Sequence, residues 1–216
     1  MKYFYLLLGF ILLNGCVATI ENTSRTSYVK ENFNTSSIEK GGIALLPIVA
    51  GAGQESLRRP LGDSISYHIK QYKSADTKFF SYKKTAEILN TSGLTEKYQK
   101  LISAYKETAI IDKAIIKEMG DTLKVQYLLA VSLNEFNKTS ELKRGIISGQ
   151  LHTEKTVNVT AFAQIWDSNG DVVWEGEGSA KSSASGELNS VEENYDKYCG
   201  VAAQGLAEKI FNINKD

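Results

Sequence analysis

Residues 156–180 read TVNVTAFAQIWDSNGDVVWEGEGSA and have the pattern of a β-hairpin. Thr156–Trp166 and Asp171–Ala180 are typical of strands, because both are rich in Val, Ala and aromatic residues. The DSNG sequence of residues 167–170 separates them, and Asn-Gly tolerates the positive φ that tight hairpin turns need. The stretch therefore predicts two antiparallel strands in the second half of the chain.

Two strands are predicted upstream of this hairpin. In Lys124–Phe136, apolar residues occupy alternate positions, which is the period of a strand with one buried face. Residues 43–50 read IALLPIVA and follow Gly41-Gly42, so this continuous apolar run predicts a buried strand. A helix is predicted after it, because apolar residues recur about every fourth position from Leu57 to Tyr72.

The remaining segments complete the order of elements. Lys78–Tyr82 predicts a short strand, and residues 83–119 predict helices interrupted at residues 91–93 and near Thr108. Residues 137–154 and 182–190 are polar and are predicted as loops. A final helix has an apolar stripe at Tyr195, Tyr198, Cys199, Ala202, Leu206 and Ile210. The order β-α-β-α-α-α-β-β-β-α predicts an α/β fold, a mixed-sheet sandwich in a single domain.

The first fifteen residues, MKYFYLLLGFILLNG, predict a secretion leader. A Lys precedes an apolar run that is too short to span a membrane, which needs about 20 apolar residues. Leu13-Asn14-Gly15-Cys16 resembles a bacterial lipobox, in which the Cys becomes the first residue of the mature chain and carries acyl groups. Val17 rather than Asp then implies the outer membrane. The alternative is an ordinary leader cleaved near Gly15 or Ala18.

These patterns divide the chain into three parts. Residues 1–15 are predicted to be the lipoprotein signal peptide, and residues 16–40 the lipidated Cys16 followed by a flexible tether. The tether prediction rests on the Ser, Thr, Asn and charged residues of 17–40, which show no sustained apolar period. Residues 41–216 are predicted to form the domain.

Composition argues against several classes of partner. The 25 basic and 25 acidic residues cancel, which gives no electrostatic case for nucleic acid or anionic lipid. If Cys16 carries lipid, Cys199 has no partner, so no disulfide framework is expected. Cys199 lies on the apolar stripe of the last helix and is predicted to be a buried small hydrophobe rather than a reactive thiol.

No motif with a specific chemistry emerges. Residues 51–56, GAGQES, follow a strand and precede a helix, but Ser56 occupies the place of the third glycine of a dinucleotide loop, so a plain turn is favoured. His68 and His152 have no His or Cys at metal-ligand spacing. Trp166 and Trp174 are predicted to pack in the core or at a sheet edge. We therefore predict no catalytic, cofactor or metal site, and no enzyme.

One resemblance links several of these segments. IALLPI before an amphipathic helix, the strand YLLAVSL, and VNVTAFAQIWDSNGDVVWEGEGSA resemble the bacterial lipoprotein superfamily that includes the curli-secretion channel CsgG, the penicillin-binding-protein activator LpoB and the amino-terminal domain of TolB. The resemblance covers residues 43–50 and 112–212. Its motifs mark a fold and no active site, and it implies a periplasmic adaptor, assembly factor or secretion accessory.

The sequence therefore favours a lipid-anchored, non-enzymatic interaction or assembly module of the cell envelope. Its expected partners are the membrane, through Cys16, and an envelope protein or cell-wall component. An oligomeric accessory of a curli-like secretion system is the alternative, and it would make the chain a homo-oligomer. A cell-wall or polysaccharide hydrolase is a third and less favoured hypothesis.

Overall fold

A computed structural model describes residues 19–144, 151–185 and 194–213. The strands are β1 (Glu21–Asn22), β2 (Arg25–Val29), β3 (Ile43–Leu45), β4 (Val49–Ala50), β5 (Phe79–Phe80), β6 (Tyr127–Arg144), β7 (Leu151–Asp167) and β8 (Val172–Ser185). The helices are α1 (Thr35–Gly41), α2 (Arg58–Tyr72), α3 (Tyr82–Thr91), α4 (Thr95–Thr108), α5 (Lys113–Leu123) and α6 (Tyr195–Phe211). From β3 onward this is the predicted order, with the first strand divided into β3 and β4.

All eight strands belong to one mixed sheet. β6, β7 and β8 form its antiparallel centre. β3 and β4 pair with β6 in parallel, and β5 pairs in parallel with β3. At the opposite edge, β1 and β2 pair antiparallel with β8. The predicted α/β class with a mixed sheet is therefore confirmed.

Helices cover both faces of this sheet. Ile43 and Leu45 of β3 are buried in one apolar cluster with α2 and α6. The intervening Ala44, with Leu46, is buried in a second cluster with α3, α4 and α5. Because successive side chains of a strand point to opposite faces, a strand buried on both faces needs a continuous apolar run, which IALL provides. No helix among the described residues is long and apolar enough to cross a membrane.

The turn between β7 and β8 uses one left-handed residue. The backbone N–H of Gly170 donates to the carbonyl of Asp167 at 2.9 Å, and Gly170 has φ +77°. Asn169 is not left-handed, so only the glycine of the Asn-Gly pair uses positive φ. Asp167 Oδ1 accepts from the N–H groups of Asn169 and Asp171, at 2.9 and 3.0 Å. The carboxylate of Asp167, at the start of the turn, therefore stabilises the turn, and of the predicted Asn-Gly pair only Gly170 adopts positive φ.

The long strands extend further than predicted. β6 and β7 remain paired to Arg144 and Leu151, and β8 continues to Ser185. The predicted loops over 137–154 and 182–190 are therefore wrong for residues 137–144, 151–154 and 182–185. Residues 137–142 are exposed, and the buried positions of residues 182–184 are the small Ser182 and Ala184, so the apolar alternation that identifies a half-buried strand is weak. Residues 145–150 and 186–193 lie outside the described residues.

The amino-terminal segment is part of the folded domain. β1 and β2 pair with β8, and α1 buries Ile38 completely. Asn34 caps α1 by accepting from the N–H of Ser37 at 3.1 Å. Residues 21–41 thus replace most of the flexible tether that composition predicted over residues 17–40. Polar composition was misleading because β2 is exposed along its length and is held by backbone pairing.

Helix α6 packs unusually close to β8. A Cβ added to Gly178 of β8 would overlap the backbone carbonyl oxygen of Ala202 in α6. The neighbouring helix residues Cys199, Ala203 and Leu206 are fully buried. The absence of a side chain at Gly178 therefore sets the distance between helix and sheet.

We expect Gly178→Ala to lower the free energy of unfolding by about 1–3 kcal/mol, because the methyl group forces the backbone of α6 outward. Gly200→Ala is the matched control on α6. A Cβ there would meet nothing within 4 Å, and alanine stabilises a helix by about 0.5–1 kcal/mol relative to glycine. Urea unfolding measures both values. Equal effects of the two substitutions would contradict the close contact.

An ion-pair network joins the hairpin turn to two other elements. Asp171 accepts from Lys113 of α5 at 2.6 Å and from Lys30, just after β2, at 3.0 Å. These two ammonium groups, Lys113 first, hold the pKa of the Asp171 carboxyl below its usual value. The network lies at the surface and connects the amino-terminal segment, the turn and α5.

Asp171→Asn is expected to lower stability at neutral pH, and the deficit should shrink in acid. A carboxyl with a lowered folded-state pKa contributes stability above its unfolded pKa and loses it as the pH falls through the folded pKa. Asp121→Asn, at an exposed position of α5, serves as the control. Urea unfolding between neutral pH and pH 3 measures the effect, and a deficit that stays constant over this range would refute the role of the ion pairs.

Candidate functional site

An apolar groove lies on the α3–α5 side of the sheet. It has a volume of about 290 Å³. Strands β6 and β7 form its floor, and the last turn of α4 forms one wall. Its principal lining residues are Val49, Ile102, Tyr105, Ala109, Ala130, Phe162 and Trp166.

Trp166 anchors the floor of the groove. Its side chain is almost fully buried, and Tyr105 meets the indole edge to face with centroids 5.9 Å apart. Trp166 Nε1–H donates to Gln164 Oε1 at 3.3 Å, and Gln164 Nε2 in turn donates to Glu175. The polar atom of the indole is therefore satisfied inside the sheet, which leaves its apolar surface to form the base of the groove.

The end of α4 determines where the groove opens. Ala109 caps this helix in the left-handed conformation, with φ +56°, and its N–H donates to the carbonyl of Tyr105 at 2.8 Å. The chain then leaves the sheet, and Ile110 is 69% exposed. The floor at Ala130 and Phe162 remains partly uncovered because no later turn of α4 lies over it.

Polar groups occupy one end of the groove. Ser132 Oγ donates to Asn134 Oδ1 at 2.9 Å, and Lys106 lines the rim on the helix side. This arrangement, an apolar floor with a few polar groups at its margin, is typical of a binding surface. Within residues 19–144, 151–185 and 194–213, no cluster of three or more His, Cys, Asp or Glu could hold a metal ion.

The residues singled out in the sequence lie away from this groove, except for one tryptophan. His68 is in α2, where burial lowers its pKa, and its ring meets Tyr67 edge to face at 5.1 Å. His152 belongs to β7, and its side chain lies outside the described residues. Residues 51–54 form the predicted turn, closed by the Gln54 N–H donating to the Gly51 carbonyl at 3.2 Å. Cys16 lies outside the described residues.

Cys199 and the two tryptophans are buried. Burial raises the pKa of the Cys199 thiol to about 12, which confirms its prediction as a small core residue. Trp174 is completely buried in the α2/α6 cluster, whereas Trp166 lies beneath the groove. The prediction that both pack in the core is confirmed. The groove itself was missed, because Ala130, Phe162 and Ile102 carry no signal beyond ordinary strand and helix patterns.

Comparisons with known proteins give weak similarities. No family model matches the sequence, and no curated protein does. A PelC dodecamer from Paraburkholderia phytofirmans is 13% identical, with TM-score 0.46, over 90% of this chain and 100% of that one. Lipoprotein GNA1162 from Neisseria meningitidis is 15% identical, with TM-score 0.39, over 80% and 99%.

A putative neuraminyllactose-binding hemagglutinin homolog from Helicobacter pylori is 11% identical, with TM-score 0.46, over 87% of this chain and 90% of that one. At these scores the similarities carry no argument about the fold or the function of this chain.

The left-handed Ala109 gives a stability prediction. Ala109→Gly should raise the free energy of unfolding by about 0.5–1 kcal/mol, because a left-handed conformation costs a residue with a Cβ about 1–2 kcal/mol and glycine much less. Ala104→Gly, in the interior of the same helix, should lower it by about 1 kcal/mol. Urea unfolding of both variants tests this. Similar losses at the two positions would contradict strain at Ala109.

Proposed function

We propose that this chain is a lipid-anchored envelope protein whose domain is a non-enzymatic interaction module. The anchor is Cys16, after the leader of residues 1–15, in the outer membrane with the domain in the periplasm. The groove of α4, β6 and β7 is its binding surface. The partner is another envelope protein that inserts an apolar side chain there.

The groove is the observation that carries this proposal. Its volume of about 290 Å³ lies at the lower limit of small-ligand pockets, which are roughly 300–1,000 Å³. A space of this size suits one large anchor side chain of a protein partner. Tyr105 and Phe162 supply the aromatic surface that such anchors contact, above the buried Trp166.

The rim supports a protein partner as well. Ile110 is 69% exposed next to the groove and would extend the apolar contact area. Lys106 adds a cation at the edge, where a carboxylate of the partner would fix orientation. An apolar centre with a polar margin is the usual anatomy of a protein interface.

A photo-crosslinking side chain at Ile110 tests the proposal in intact cell envelopes. We expect the crosslinking side chain at position 110 to form a covalent product with a partner protein, because Ile110 borders the groove. Tyr67 is the matched control, because it is 60% exposed on α2, on the other side of the sheet. Ala130→Met should fill the floor and abolish the Ile110 product, while Ala86→Met on α3 should leave it unchanged.

The outcomes separate the hypotheses. A crosslinked product at Ile110 that still forms in the Ala130→Met variant would contradict binding in the groove. Equal crosslinking at Tyr67 would contradict it as well. A product made only of two copies of this chain would favour the alternative, a homo-oligomeric accessory of a secretion system. That alternative has one structural support: beyond Leu133, the outer edge of β6 pairs with no strand among the described residues, and an open edge can pair with a second copy.

A further inference from the structure

The connection between Cys16 and the folded domain is short. β1 begins at Glu21, only five residues after Cys16. A fully extended chain spans at most about 3.3–3.6 Å per residue, so Cys16 lies within about 18 Å of Glu21. If Cys16 carries the lipid, as the proposed function requires, the membrane surface must pass equally close to Glu21.

The direction of this connection follows from strand pairing. β1 is antiparallel to β8, with Glu21 opposite Lys181 and Asn22 opposite Ala180. Chain that precedes Glu21 therefore continues toward the Ser185 end of β8. Ile20 packs against the α2/α6 cluster, and this contact holds the connection close to the sheet.

The same end of the sheet carries an arm, which we define as Asn137–Arg144 of β6 paired with Leu151–Asn158 of β7. Lys181 lies opposite Asn158, and Asn158 lies opposite Asn137, so the arm starts at the level of Glu21. Seven further residues at about 3.4 Å each carry β6 about 24 Å beyond that level. The arm is therefore longer than the reach of the connection.

We propose that the arm rests on the lipid headgroups and orients the domain on the membrane. A membrane surface that crosses the strand direction within about 18 Å of Glu21, on the side toward which the arm points, meets an arm that extends about 24 Å beyond that level. Leu142 is 68% exposed near the end of the arm, although its neighbours are mostly polar. A leucine at this place would bury its side chain in the headgroup layer.

This orientation fixes the height of the groove. Phe162 on the groove floor lies four residues along β7 from Asn158, which is about 13 Å farther from the arm. The groove is then held roughly 37 Å from the end of β6 and away from the membrane. A partner would meet it from the aqueous side.

Headgroup quenching tests the orientation. The lipidated mature protein is reconstituted in vesicles of phosphatidylethanolamine and phosphatidylglycerol that contain a nitroxide-headgroup lipid, with a fluorophore on Leu142→Cys or Asn169→Cys. Asn169 is exposed in the turn at the opposite end of the sheet. Cys199 is fully buried and should stay unlabelled. We expect quenching at position 142 to be several-fold stronger than at position 169.

A second variant tests the short connection itself. About twelve Gly and Ser residues inserted between Ala18 and Thr19 add a flexible segment with a root-mean-square length of about 19 Å. The protein should still float with the vesicles, but quenching at position 142 should fall toward that at 169. Unchanged quenching at 142 would show that the connection does not hold the arm at the membrane, and would overturn the proposal.

The remaining outcomes separate the orientation from the anchor. Equal quenching at positions 142 and 169 in a protein that floats would overturn the orientation and leave the anchor intact. A protein that floats no better than Cys16→Ser would remove the anchor and, with it, this inference. Disulfide-linked dimers of the unlabelled Leu142→Cys protein, together with no quenching of the labelled protein, would show that the arm meets a second copy, which overturns the headgroup contact.

Discussion

β7 is hydrogen-bonded to a neighbouring strand on both sides over almost its whole length, and the other elements depend on this pairing. It pairs with β6 from Asp167 to Leu151 and with β8 from Trp166 to Glu154. β3 and β4 join the sheet through β6, and β1 and β2 join it through β8. A register slip of one residue would exchange the two faces of β7 and move Trp166 from one apolar cluster to the other. The turn at Gly170 therefore fixes both the register and the two cores.

The sequence predicts this fold best where a strand carries a helical layer on one face or on both. Residues 43–46 and the alternating half of β6 were recognisable because burial selects apolar side chains at fixed spacing. The signal fades along residues 137–142 of β6, whose side chains are exposed and mostly polar, because backbone pairing forms the strand there without an apolar pattern. β1 and β2 could not be predicted for the same reason, because their side chains are exposed while their N–H and C=O groups pair with β8.

The groove could not be predicted from the sequence, for a different reason. Its floor and wall consist of residue types that any α/β core contains, and what creates the site is the place at which α4 stops. A helix that ends in a left-handed residue usually carries glycine there, whereas this one carries Ala109, so the exact end had no marker. The interruption near Thr108 could be predicted, but not that Phe162 and Ala130 would remain uncovered beneath it.

The ordered amino terminus changes what a lipid on Cys16 would do. A flexible tether of 24 residues would have a root-mean-square length of about 27 Å and would leave the domain free to rotate. With β1 paired to β8, only four residues lie between Cys16 and the sheet, so a lipid on Cys16 would exclude most orientations before any partner arrives. Binding would then cost less orientational entropy, because such an anchor would hold the groove at one height and direction. An anchor joined directly to a strand of the sheet therefore acts as part of the binding site's geometry as well as its attachment.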